Sequence, residues 1–341
     1  MRSKTIRPTT RRRSRGAAAA VASILPLAIS MIPSGANRTE QPSTTHRATA
    51  TPKEFSVPFG NLRDWSRSVV VTLDDVHIEG HSKVHNVNAD CELHFGAHTP
   101  NFRGVPDGLV LEPMNACSEP FPGKTEQNNA DWTTFGDQIK GTSVTAVGVP
   151  RIWPEHLNSG GGDSNPDHAV ELHPLTTIVA GGKSFDFSPD ISAGEFTGGV
   201  IEQTALSIVQ ETTVSVSRNG DSVDISFSAG RIGNFTVLDL VINRDSIAND
   251  GTGSFRMDGE VVIDSSTTVP VRIVTVKGSP INDDIQKIKS GRSKNVNMEG
   301  ELVLFSLSPE ALLNAANRSG GDAIVVERPL QLILYGMPSS E

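Results

Sequence analysis

Asp90, Glu92 and His94 recur at a spacing of two, and so do Glu171 and His173. Residues two apart share one face of an extended chain. Each set therefore reads as a row of polar groups on its own strand. Carboxylate oxygens and neutral imidazole nitrogens are ligands for Zn²⁺ and related divalent ions. The same groups can also pass a proton between donor and acceptor. If the two strands approach, the five side chains converge on one ion or one substrate. They also have a structural reading, in which His173 holds a carboxylate and Pro174 ends the ladder. No residue is assigned a catalytic role, and the identity of any metal is left open.

His77, Glu79 and His81 also fall on one face if their strand runs through Gly80, with His85 at the same parity. That row is either a metal ridge or a set of ordinary exposed strand histidines. Two loops are rich in side-chain oxygen: Asp163, Asn165 and Asp167, and Asp245, Asn249 and Asp250 beside Gly251. Neither matches the spacing of an EF-hand loop, so both read as turn chemistry. The two cysteines, Cys91 and Cys117, can pair in an exported chain. Alternatively Cys91 is a buried thiol beside Leu93 and Phe95. There is no G-x-S-x-G elbow. H-E-x-x-H, C-x-x-C, the phosphate loop and a G-x-G-x-x-G turn are also absent from the sequence.

The elements that must position these residues are strands. Val69–Ile78, Asp90–Phe95, Gly108–Glu112, Thr142–Val149 and Ala169–Ile178 carry period-two or β-branched patterns, with a short helix from Asp131 to Ile139. Five strands with one helix before the fourth predict an OB-like five-stranded barrel over residues 55–180. A second β-rich domain follows over 184–341, a β-sandwich or barrel with one short helix. Its firmest features are a hairpin turning at Asn219-Gly220 and a helix from Pro309 to Asn317 capped by Ser308. Pro329, inside a run from Ile324 to Leu334, predicts an edge strand there. The fold class is mainly β.

Residues 1–36 carry seven basic residues, then an uncharged apolar run, then Ser34 and Ala36 at the exit, which is the pattern of a secretory signal peptide. The competing reading is an uncleaved anchor. Residues 37–54 read as a flexible linker. The protein is thus expected to be secreted or held in the cell envelope. Seven of the 30 Lys and Arg lie in the leader, so cleavage leaves 23 bases against 39 acids, a net charge of −16. Such a field repels phosphate backbones and anionic lipid. Nucleic acid is an unlikely partner, and oligosaccharide, peptide or an envelope protein are the expected ones.

Three segments together carry a resemblance. Asp90-Cys91-Glu92-Leu93-His94 resembles the D-x-D-x-H strand of a group of small bacterial OB-fold-like domains of unknown function. Leu111-Glu112-Pro113 followed by Cys117 is similar to that group's strand bearing Glu, Pro and Cys. Val147-Gly148-Val149-Pro150, a loop, and Glu171-Leu172-His173-Pro174 resemble its E-L-H-P ending. The match spans about residues 66–180, with Glu92 in place of the second Asp and Cys91 in place of a Gly. It implies a fold and brings no activity. The expected function is a non-enzymatic binding or interaction module that needs no cofactor. The alternatives are a metal-dependent hydrolase, acting on phosphoesters through the Asp/Glu/His cluster, and a structural envelope protein.

Overall fold

The computed structural model describes residues 51–87, 89–194, 199–293 and 296–338. The expected signal peptide, 1–36, and the linker as far as residue 50 lie outside the described residues. The described chain opens with β1 (Lys53–Pro58) and α1 (Phe59–Trp65). Lys53 and Glu54, read above as the end of the linker, are the first residues of a strand.

The first barrel contains β2 (Val71–His81), β3 (Phe95–His98), β4 (Leu109–Leu111), α2 (Asn129–Ile139), β5 (Ser143–Ile152) and β6 (Val170–Ala180). β2, β3 and β4 form an antiparallel meander. β4 then pairs parallel with β6, β6 antiparallel with β5, and β5 antiparallel with β2. The circuit closes at five strands, with the helix between the third and fourth, as in an OB-like barrel. β7 (Lys183–Asp186) extends β6 outside the circuit. α2 starts two residues before Asp131 because the Asn128 side chain accepts from the Ala130 N–H. It buries Trp132, Phe135 and Ile139.

After α3 (Glu202–Glu211), β8 (Thr213–Asn219) and β9 (Ser222–Ser228) form the expected hairpin. Its two-residue loop is Gly220-Asp221, one position later than the dipeptide predicted, and Gly220 has the positive φ (62°) that such a turn requires. β9 also pairs with β1 in the register Phe55↔Ile225, giving a separate four-stranded sheet.

The remaining elements are β10 (Phe235–Ile242), β11 (Ala248–Asn249), β12 (Phe255–Val262), β13 (Thr268–Thr275), α4 (Pro280–Lys289), β14 (Asn297–Leu307), α5 (Pro309–Ser319), β15 (Ile324–Val325) and β16 (Leu330–Gly336). β10, β12, β13, β16 and β14 close a second five-stranded circuit, again with one parallel pair, β13–β16, and a helix between the third and fourth strands. The second block is therefore a barrel rather than a sandwich, and it has the connectivity of the first. α5 begins as expected, with Ser308 Oγ accepting from Ala311 N–H. Pro329 does not mark an edge strand. It precedes β16, which lies between β13 and β14, and its carbonyl accepts from Ser308 N–H.

Strands of both barrels are buried on both faces where the barrels meet. Val303, Phe305, Leu332 and Leu334 belong to the main hydrophobic core. The alternate residues Leu302, Leu304, Ile333 and Tyr335 join a second cluster with Val149 of β5 and Phe235 of β10. Val149 is thus an outward residue of one barrel packed on outward residues of the other.

Candidate functional site

Alternation along β6 sends Val170 and Leu172 into the main core and leaves Glu171 and His173 on the opposite face, toward the second barrel. The His173 ring stands edge-on to Phe235, with centroids 5.3 Å apart. Glu112 follows β4 and is pinned to β6 by backbone bonds, Glu112 N–H to Leu172 O (3.1 Å) and Leu175 N–H to Glu112 O (2.9 Å). Glu92 and His94 do not lie on a strand, since β3 begins at Phe95. Their segment is tied to the chain after β2 by Ser82 N–H to His94 O and His85 N–H to Glu92 O. The half-buried alternation expected for 90–95 is absent, because every residue from Cys91 to Phe95 is buried. The Cys91–Cys117 disulfide forms, with Cα atoms 5.0 Å apart, and joins the segments that bear Glu92 and Glu112.

Four of the five predicted side chains converge, and Glu112 joins them. His173 Nε2 lies 2.8 Å from Glu92 Oε1, and its Nδ1 contacts Glu112 Oε2. His94 Nε2 lies 3.4 Å from Glu112 Oε1 and 3.9 Å from Glu92 Oε2. Glu171 Oε2 is 3.6 Å from His173 Nδ1 but bonds Arg151 more closely, at 2.5 Å. Its Oε1 contacts His168 Nε2 at 3.0 Å. Arg151 is fully enclosed and reaches across to the second barrel, donating from Nε to Phe305 O (2.8 Å). His173 thus makes ion-pair contacts with Glu92 and Glu112 through its two nitrogens. Glu92 Oε2 and the Tyr335 hydroxyl are buried without a hydrogen-bond partner.

Burial opposes every charge in this cluster. Burial pushes Glu92 up to about 8, against the pull of His173. Burial and the neighbouring Glu171 also act to raise Glu112, yet His94 and His173 outweigh them and hold it at about 2. Glu171 is held well below the carboxylate range because Arg151 and the two histidines overcome its burial. His173 is raised well above the usual imidazole value because Glu92 and Glu112 overcome its burial.

Asp90 is not part of the cluster. Its Oδ1 lies 2.7 Å from His85 Nδ1. The row of histidines on β2 does not converge either. His98 pairs with Glu79 (3.0 Å), and His81 pairs with Asp137 (3.1 Å). The oxygen-rich loops act as turns. Asp250 accepts from Thr252 N–H and Val69 N–H, and Asp167 accepts from Asn158 N–H. Reading the sequence for sites missed Glu112, Arg151 and His168. Glu112 sits in one of the segments that carry the resemblance. Arg151 had its own signal, a lone charge between the apolar Val149-Pro150 and Ile152-Trp153.

The cluster is enclosed: Glu92, Glu112, Glu171 and His173 are each at most 2% exposed, and His94 is the most exposed at 8%. Concave surface is found elsewhere. One cleft lies where Trp65, Ser68 and Pro150 meet Arg256 and Arg272. It shares Arg272 and Glu310 with a cleft of about 300 Å³ that also bears Arg318 and Arg328.

No protein-family profile and no curated protein matches the chain. Among solved structures, a deletion variant of the single-stranded DNA binding protein from Thermus aquaticus is aligned over 86% of this chain and 98% of that one, at 10% identity and a TM-score of 0.16. A likeness at that score carries no argument about fold or function.

Proposed function

We propose that the protein is an exported, non-enzymatic binding module that takes a polar, extended ligand along its arginine-bearing clefts. The supporting observation is the contrast between two sites. Glu92, Glu112, Glu171 and His173 are enclosed between the two barrels. Two open clefts instead carry Arg256, Arg272, Arg318 and Arg328 beside Asp258, Glu310 and Glu327. Arg272 is held by Asp258 (3.3 Å) and Glu310 (3.0 Å), which fixes the position of its guanidinium. A peptide segment of an envelope protein or an oligosaccharide fits this surface, and the acidic field disfavours nucleic acid. The Cys91–Cys117 bond suits an oxidising compartment. Calorimetry of the full chain against peptide and glycan sets tests the reading, with an Arg272→Ala plus Arg328→Ala variant as control. A ligand whose affinity falls at least about tenfold in the variant, roughly 1.4 kcal/mol, supports it. Hydrolysis of a phosphoester by the wild-type chain, lost in His94→Ala, would replace it with the enzymatic alternative.

A further inference from the structure

We infer that Glu92, Glu112 and His94 form a binding site for a divalent cation of the Zn²⁺ class, and that His173 orients the two carboxylates. Each carboxylate is divided between two imidazoles. Glu92 presents Oε1 to His173 Nε2 (2.8 Å) and Oε2 to His94 Nε2 (3.9 Å). Glu112 presents Oε2 to His173 Nδ1 and Oε1 to His94 Nε2 (3.4 Å). One oxygen of each carboxylate is thus held by His173, and the other faces His94. Ligand atoms of Glu92, Glu112 and His94 lie within 4.8 Å of one another. Atoms bound about 2.0–2.2 Å from a tetrahedral Zn²⁺ stand roughly 3.3–3.6 Å apart, so a small closure completes the geometry.

A second observation points to the same place. Glu92 Oε2, on a side chain 1% exposed, lacks a hydrogen-bond partner, with His94 Nε2 3.9 Å away. A buried carboxylate oxygen without a partner is costly, and a cation would satisfy it. The remaining acid, Glu171, is not a ligand. Arg151 and His168 occupy its two oxygens, at 2.5 Å and 3.0 Å, and a cation beside Glu171 would face the guanidinium. Two carboxylates and one imidazole are a donor set for Zn²⁺ or its neighbours. They are too few, and too nitrogenous, for the six to eight oxygens that Ca²⁺ takes. Entry is from the His94 side, where the His85 ring packs edge-on at 4.5 Å and is itself held by Asp90. The role of His173 is that of an outer residue whose contacts fix the ligands.

The test uses the full chain, purified without a histidine tag, stripped with EDTA and titrated with Zn²⁺ and, separately, Co²⁺. The expected result is about one equivalent of either ion. Zn²⁺ should raise the melting temperature by roughly 5–10 °C over the EDTA-treated chain. Glu92→Gln and Glu112→Gln should each weaken binding by more than about 100-fold. His173→Gln should weaken it about 10–100-fold and shift the visible band of bound Co²⁺ without abolishing it, which a merely structural residue would not do. A folded wild-type chain that takes up neither ion would overturn the inference, and that measurement does not depend on any variant folding. Undiminished binding in Glu92→Gln plus Glu112→Gln would overturn it equally. Neither outcome bears on ligand binding at Arg272 and Arg328.

Discussion

Arg151 and Glu171 face each other in register across β5 and β6, at 0% and 1% exposure. A buried pair of this kind adds little net stability over an apolar pair, but removing one partner leaves the other charge stranded. Arg151→Leu should therefore cost about 3–5 kcal/mol, and Arg151→Leu with Glu171→Leu should recover most of it. Urea unfolding of the two variants checks this, and a single substitution costing under about 1 kcal/mol would show that Arg151 is not the counter-charge. Glu301 is a different kind of buried acid. It is 5% exposed, with Oε2 unpartnered, and burial, helped by Asp284, pushes it up to about 7. In the unfolded chain it titrates near 4.5. Between those values the native state keeps a proton that the unfolded state has lost, so this group makes stability fall as pH rises through the window. Glu301→Gln should match the wild type near pH 4. Above pH 7 it should be more stable by about 1–2 kcal/mol, discounted for solvent screening. Equal stability of the two proteins at pH 5 and pH 9 would contradict the assignment.

At the scale of elements, the disulfide closes a loop of sequence separation 26 that contains β3, β4 and both acids of the proposed cation site. In the chain-entropy view its loss costs roughly 3.5 kcal/mol, so Cys117→Ser should lower the urea midpoint accordingly, and an unchanged midpoint would mean packing alone holds the loop. The elements legible in the sequence were those whose signals are local. The β8–β9 hairpin follows from its alternation and Gly220, and α5 from Ser308-Pro309. α4 had a signal that went unread, Ile281, Ile285 and Ile288 on one face after Ser279-Pro280. Residues 90–94 misled because alternation of polar and apolar side chains implies one wet face, and here Glu92 and His94 are buried between elements. Glu112 and Arg151 could not be placed in the cluster from local pattern. Their partners lie on β6, β14 and the chain before β3, and only the closure of the first barrel and its packing on the second bring them together.

At the scale of the molecule, residues 48–341 make one compact unit, and three features tie the sequence halves into it. β1 pairs with β9. Arg151 and Ile152 bond Phe305 and Ser306. Trp153 stacks on Phe305 at 5.8 Å and donates to Gly233 O. A surface shared in this way has no stable half, so the two barrels should unfold in one transition. Of the chain's three tryptophans, Trp132 on α2 follows the first barrel and Trp153 follows its contact with Phe305 of the second, while far-ultraviolet circular dichroism follows both barrels. The two probes should give the same urea midpoint. Leu304, fully buried in the cluster between the barrels, supplies the sharper test. Leu304→Ala should cost about 2–5 kcal/mol and move both midpoints together, although the substitution lies in the second barrel and Trp132 in the first. A tryptophan midpoint that stays in place while the dichroism shifts would mean that the barrels fold separately and that the charged cluster between them is a contact rather than a common core.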